Sequence, residues 1–231
     1  MSDTFKVFFR TSKKFGKNPP QGASDVITYK SLLRSFSPNE IVVICDNCTE
    51  DQVQYFKTVN PFVYTTSFGN CGSFKYQLTL TDIFPADIFY FVESDHLHLP
   101  EQKRWLTMGL SLFKLVSLYD HPDKYFWPCY NDLKRKIYAT DTGYWASTPS
   151  TVMTFATRRD TLKEIKDVLV SDEYNDSTFI CPRDHDMFVY LNEKGYTLGT
   201  PMPGRSTHLD MGGHSPYVNW MGYINELAKE R

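Results

Sequence analysis

Between Ala86 and Pro100 an almost uncharged apolar run stops abruptly at Glu93-Ser94-Asp95-His96-Leu97-His98. Carboxylates and imidazoles hold divalent cations and move protons, and a buried strand delivers them in this way. Residues two apart on an extended chain face the same side, so Glu93 and Asp95 can address one cation or one sugar-nucleotide. Three further positions carry related chemistry: Asp46 after an apolar run, Asp184 and Asp186 at a helix start, and His208 in a late Gly/Pro-rich stretch. A divalent ion with hard oxygen ligands and one imidazole matches Asp95 plus His208, and it would neutralise a diphosphate leaving group. Mn2+ accepts such a mixed shell more readily than Mg2+, although either ion fits. Asp184 or Asp186, in a first helical turn where the macrodipole favours an anion, can take a proton from an attacking hydroxyl.

The elements that must position these residues alternate between strands and helices. Phe5 to Arg10 reads as a first strand, followed by a loop from Thr11 to Gly22 that carries Lys13, Lys14 and Lys17. A helix starts at Ser24, a buried strand runs from Ile41 to Cys45, and Thr49-Glu50-Asp51 opens a second helix. After a short strand near Phe62 to Thr65, Gly69-Asn70-Cys71-Gly72 opens a helix running from about Ser73 to Ile83, and Ile88 to Val92 is the strand that ends at Glu93. This alternation predicts a Rossmann-like, mostly parallel central sheet flanked by helices, with ligands at the carboxyl ends of the strands. The second half is less regular. It reads as a helix from Gln102 to Tyr119, loops and short strands to Thr151, a strand to Thr157, and helices from Thr161 to Val170 and from Asp184 to Lys194. The segment from Pro201 to Pro216 reads as an ordered loop over the sheet or a lid.

The whole chain narrows the possibilities. At 231 residues it suits one α/β domain over 1–231, with a first half of about 1–100 and a second of about 101–231 that ends in a late loop. A net charge of -2 supplies no global field for nucleic acid, so any phosphate handling is local. No apolar run is long enough to span a bilayer. Five cysteines, an odd number, with no secretory leader pattern at the start, predict a reducing, cytoplasmic setting. Cys45 and Cys48 have zinc-like spacing, but no second close pair completes a site.

The order of the motifs supports a resemblance. Asn39 to Asp51, with Ile-Val-Val-Ile-Cys-Asp leading into Thr49-Glu50-Asp51, looks like the second-strand segment of family 2 glycosyltransferases. Gly69-Asn70-Cys71-Gly72 before a helix, then Ala86 to Asp95, resembles that family's Asn/Gly turn, helix, and strand leading to an Asp-x-Asp metal motif. Arg183-Asp184-His185-Asp186-Met187 through Gly195-Tyr196 is similar to its Glu-Asp-x-Asp-Leu helix. The likeness spans about residues 5 to 210 and implies an α/β, single-domain glycosyltransferase-A (GT-A) fold.

It also implies roles. Asp46 would contact the nucleoside, Glu93 would lie near the ribose or donor sugar, Asp95 and His208 would hold the metal, and Asp184 would be the base. Arg10, Thr11, Gly72, Lys75 and Ser94 are expected on the donor side, and Asp141, Tyr144 and Trp145 on the acceptor side. The implied reaction is metal-dependent transfer of a sugar from a UDP, GDP or dTDP donor to a glycan or glycoconjugate hydroxyl, with inversion. Lys13, Lys14 or Arg205 would stabilise the departing diphosphate. The chain departs from the pattern at Cys45, where an acidic residue is common, at Glu93, which replaces the first Asp of the metal motif, and at Arg183, which replaces a Glu and leaves Asp186 a competitor for the base. Two rival readings are a sugar-nucleotide nucleotidyltransferase and a non-catalytic sugar- or nucleotide-binding module.

Overall fold

The computed structural model describes residues 3–210 and 212–230; Met1, Ser2, Met211 and Arg231, at the chain ends and within the late loop, lie outside it. The amino-terminal half holds β1 (Phe5–Ser12), α1 (Asp25–Leu33), β2 (Ile41–Asp46), α2 (Glu50–Val59), β3 (Val63–Thr66), α3 (Gly69–Leu80) and β4 (Ile88–Glu93). Its four strands are all parallel, in the order β3-β2-β1-β4. The helix starts are encoded locally. Ser24 accepts a hydrogen bond from the Ile27 amide, and Thr49 and Gln52 form a reciprocal capping box at α2.

The chain continues through β5 (His96–His98), α4 (Gln102–Leu112), β6 (Leu115–Val116), the single turn α5 (Asp123–Phe126), β7 (Ile137–Thr140), β8 (Gly143–Thr148) and β9 (Phe155–Arg158). Then follow α6 (Arg159–Val170), the single turn α7 (Asp172–Asn175), α8 (Asp184–Glu193), β10 (Leu198–Met202), β11 (Ser206–His208) and α9 (Trp220–Lys229). One nine-stranded sheet crosses both halves in the order β3-β2-β1-β4-β9-β6-β10-β8-β7. Only β9 and β8 oppose the common direction, so the sheet is mostly parallel.

Alternation along β1 sends Phe5, Val7 and Phe9 to the face covered by α1, α2 and α4, and Phe8 to the face covered by α3, α6 and α8. Burial on both faces explains the unbroken apolar runs of β2 and β4. No helix among the described residues is long and apolar enough to cross a membrane.

Two expectations change. The helix from Gln102 stops at Leu112, because Leu115 and Val116 are taken by the sheet, where they pair with both β9 and β10. The 201–216 stretch, expected as loop, is partly strand: its first residues end β10, and Ser206–His208 pairs antiparallel with His98–His96 in a separate two-stranded ladder. Around that ladder Leu97, Leu209, Ile27, Trp220, Ile224 and Leu227 form a third apolar cluster under α9.

Candidate active site at the carboxyl ends of the central strands

Parallel pairing brings the ends of β1, β2 and β4 level, with Arg10 opposite Glu93 and Ser12 opposite Asp46. They floor a cleft of about 520 Å3 whose far wall is the loop bearing Lys13, Lys14 and Lys17. That loop is pinned to the late segment by a 2.6 Å hydrogen bond from the Asn18 amide to Asp210. Three ammonium groups along one wall suit the oxygens of a diphosphate.

Asp46 sits at the cleft floor with both oxygens engaged. Oδ1 accepts from the Thr66 hydroxyl (2.8 Å) and the Phe68 amide (2.7 Å), and Oδ2 accepts from the Gly69 amide (3.0 Å) and Asn47 Nδ2 (2.9 Å). Its carboxylate therefore fixes the turn that starts α3. Arg10 is buried and spans two elements, donating to Glu93 Oε1 (3.0 Å), Ser73 Oγ (3.2 Å) and the carbonyl and side chain of Asn70. Burial pushes the Glu93 carboxyl up to about 7 against the pull of Arg10, with the charges of Asp95 and Asp184 adding to the rise.

Beside Glu93 stands a group that can hold a metal. Asp95, His96 and His208 each place one ligand atom within 4.8 Å of the others. The ladder does this: His96 pairs with His208 across β5 and β11, and Asp95 precedes His96. Asp95 Oδ2 accepts from His208 Nε2 at 3.0 Å, while Asp95 Oδ1 and both ring nitrogens of His96 are buried with no partner. Orphaned buried polar atoms cost free energy, and one carboxylate oxygen of Asp95 with one ring nitrogen from each of His96 and His208 is a donor set that fits a cation. Burial holds His96 well below its ordinary value, with the His208 charge helping, so its ring is neutral and its lone pair is available. At Asp95 burial opposes the charge, but the hydrogen bond and charge of His208 prevail and hold the carboxyl low. At His208 burial likewise opposes the charge, and Asp95 prevails and raises it.

Asp184 opens α8 and lies near enough for its charge to act on Glu93. Burial raises its carboxyl, against a 2.7 Å hydrogen bond from the His185 amide. Asp186 is held elsewhere, by Arg183 at 2.7 and 3.0 Å. Thr11 and Ser94 line the cleft, whereas Gly72 does not; a Cβ there would meet Phe68 Cβ at 2.8 Å, so this glycine lets the Phe68 side chain sit against the first turn of α3. Lys75 lies off the cleft and pairs with Asp172. Arg205 is also elsewhere, donating to the Pro100 carbonyl at 2.9 Å and lying over Trp105.

The expected acceptor loop is not at the cleft. Trp145 is fully buried against Trp105 and Phe113, and its Nε1 donates to Thr142. Asp141 pairs with Arg104 and lines a different depression with Asp3, Thr4 and Phe5, at the start of β1 rather than its end; Tyr144 is an exposed strand residue outside the cleft. Trp and Tyr dominate cores as readily as sugar sites, and period-2 alternation in β8 was the signal that Trp145 points inward. His96 is the residue the sequence reading passed over. Its place in the same chemistry-bearing run was visible, but its partner across the ladder was not.

No protein-family model matches the chain, and no curated protein matches it in sequence. Solved structures do match in shape. TarS of S. aureus (residues 1–349) is 14% identical with a TM-score of 0.50, covering 85% of this chain and 57% of its own. GalNAc-T7 with UDP, GalNAc and Mn2+ is 12% identical with a TM-score of 0.60, covering 89% of this chain and 43% of its own. The CMP:2-keto-3-deoxy-manno-octonic acid synthetase complexed with CTP is 11% identical with a TM-score of 0.53, covering 97% of each chain. This chain thus spans about half the length of the first two. At these identities the likeness establishes the fold: a GT-A-like, Rossmann-like α/β sheet flanked by helices.

Proposed function

We propose that the protein is a sugar-nucleotide-using transferase, and specifically a metal-dependent, inverting glycosyltransferase that moves a sugar from a nucleoside-diphosphate donor to the hydroxyl of a glycan. The observation that carries the reading is the meeting of one ligand atom each from Asp95, His96 and His208, with Asp95 Oδ1 and the His96 ring unpartnered, beside a lysine-walled cleft at the strand ends. The match to GalNAc-T7 with UDP, GalNAc and Mn2+ supports the same choice of ligand and ion. Residues 1–100 then carry most of the donor side and the rest of the chain supplies His208 and the acceptor side.

Asp95, His96 and His208 would hold Mn2+ or Mg2+, which would supply positive charge to the diphosphate as its bond to the sugar breaks. Lys13, Lys14 and Lys17 face the same oxygens from the opposite wall. Asp46 keeps the turn before α3 in place beside the nucleoside, and Arg10 fixes Glu93 against the donor sugar. Asp184, raised by burial and free of an arginine partner, takes the proton of the attacking hydroxyl. Asp186, bound by Arg183, does not. Preorganised charge and positioning carry the acceleration.

A nucleotidyltransferase is the second reading, favoured by the full-length match to a synthetase complexed with CTP and by the basic loop after β1. Gly16 and Gly22 are too far apart to form the tight phosphate cradle that chemistry requires. Product analysis separates the two. UDP-, GDP- and dTDP-sugars are incubated with and without Mn2+, and CTP and UTP with sugar phosphates. Metal-dependent release of a nucleoside diphosphate, lost in Asp95→Ala and in Asp184→Asn, is expected. Release of pyrophosphate from CTP or UTP would overturn the glycosyltransferase reading.

A further inference from the structure

Beside the donor cleft lies an ordered group of side chains that no role above uses. His121 Nδ1 is 2.8 Å from Asp123 Oδ1 and accepts from the Asp123 amide at 3.1 Å. Both contacts fall on Nδ1, so Nε2 is the ring nitrogen left for a further partner. No hydrogen bond from a described residue reaches that Nε2.

Asp123 is itself held by Lys124, whose Nζ lies 2.9 and 3.0 Å from the two carboxylate oxygens. Lys124 is only 7% exposed and sits 4.4 Å from the Tyr130 ring centroid. The Tyr130 hydroxyl meets His185 Nδ1 at 3.1 Å, one residue from Asp184. On its other side the His121 ring packs on Tyr119 at 4.8 Å, and Tyr119 packs on His96 at 5.2 Å. The charge of His121 acts on Asp184 and on His96, so the imidazole stands between the candidate base and the candidate metal group.

The same turn carries Phe126 and Trp127, which are 77% and 60% exposed. A buried lysine and aspartate spent on orienting one imidazole, with exposed rings on the same turn, is the chemistry of carbohydrate recognition: apolar faces for ring carbons and a fixed ring nitrogen for a hydroxyl.

We infer that the turn from His121 to Trp127 is the acceptor subsite, and that the acceptor is a pyranoside presenting two neighbouring hydroxyls, one to Asp184 and the other to His121 Nε2. This rests on the glycosyl-transfer reading above and replaces the Tyr138 to Trp145 loop as the acceptor side. In the step itself the first hydroxyl loses its proton to Asp184 as its oxygen bonds to the anomeric carbon. The carbon–oxygen bond to the diphosphate breaks, and both electrons leave with the diphosphate. The second hydroxyl keeps its proton and forms a hydrogen bond with Nε2.

The test uses the full chain, Mn2+, the donor sugar-nucleotides above, and a panel of p-nitrophenyl hexopyranosides as acceptors. Wild type is expected to glycosylate at least one glycoside. In His121→Ala the KM for that glycoside should rise about tenfold, the worth of one well-placed hydrogen bond, with a smaller change in kcat. His121→Gln, whose amide can still form a hydrogen bond, should recover part of the loss, and Trp127→Ala should raise the same KM. The inference is overturned if no pyranoside in the panel is glycosylated, if the KM is unchanged in His121→Ala, or if kcat in that variant falls further than the KM rises. Absence of donor hydrolysis in the wild type would instead strike the glycosyltransferase reading itself.

Discussion

At the scale of single residues, the His208–Asp95 contact makes a signed statement about pH. His208 is raised above 6.5, so its part of the stability is full below 6.5 and fades as pH climbs through the raised folded value. Asp95 is lowered below 3.8, so its part is present above 3.8 and fades as pH falls through the lowered folded value. Without metal the pair contributes between these limits. With side chains 28% and 23% exposed it is screened, and His208→Gln should cost about 1 kcal/mol near pH 5.5 and less near pH 8.5 in chemical denaturation. A cation competes with the His208 proton, so calorimetric titration should find Mn2+ affinity rising with pH over that range. His96→Leu tests the third ligand. It removes a buried imidazole whose ring nitrogens have no hydrogen-bond partner, so apo stability should hold or gain about 1 kcal/mol while the Mn2+-induced rise in Tm shrinks. A loss of apo stability with an unchanged Mn2+ response would make His96 a core residue.

At the scale of elements, Asp46 is the joint between β2 and α3. Its four hydrogen-bond donors come from the end of β3, the start of α3 and its own neighbour Asn47. Asp46→Ala leaves the Phe68 and Gly69 amides without this acceptor, and should cost about 3 kcal/mol in denaturant unfolding. Nucleotide affinity should fall with it, because Gly69 and Asn70 line the same cleft. Asp46→Asn, which keeps one acceptor oxygen, should lose less; equal losses would mean that the charge rather than the geometry matters. Much at this scale was readable from the chain. The runs of β2 and β4, the Ser24 and Thr49 caps and the helix opening at Gly69 follow from local periodicity and capping chemistry. Leu115–Val116 did not read as a strand, since two residues carry no period and their identity as strand comes from the neighbours they join.

At the scale of the whole molecule, α9 supports the candidate metal group from a distance. Trp220, Ile224 and Leu227 pack on Leu97, which lies between His96 and His98, and on Leu209, which follows His208. Trp220 Nε1 also donates to the Ser215 carbonyl at 2.8 Å, and the Ser215 amide donates to Thr207 Oγ1 inside β11. Trp220→Ala should therefore cost about 3–5 kcal/mol and weaken Mn2+ binding as well. A drop in Tm with Mn2+ affinity unchanged would show that the β5–β11 ladder holds its shape without the helix.

The sequence by itself determined the kind of sheet, its parallel first half and the strand ends at Asp46 and Glu93-Ser94-Asp95, because apolar periodicity and caps are local properties of neighbouring residues. It also set Asp95, Asp184 and His208 in an order that pointed to one site. Only the tertiary structure decided that His96 joins Asp95 and His208, that Arg183 occupies Asp186 and leaves Asp184 facing Glu93, and that Trp145 belongs to the core. Those outcomes depend on residues far apart in the chain, such as His96 and His208 brought into register by an antiparallel ladder. No local period or propensity encodes that distance.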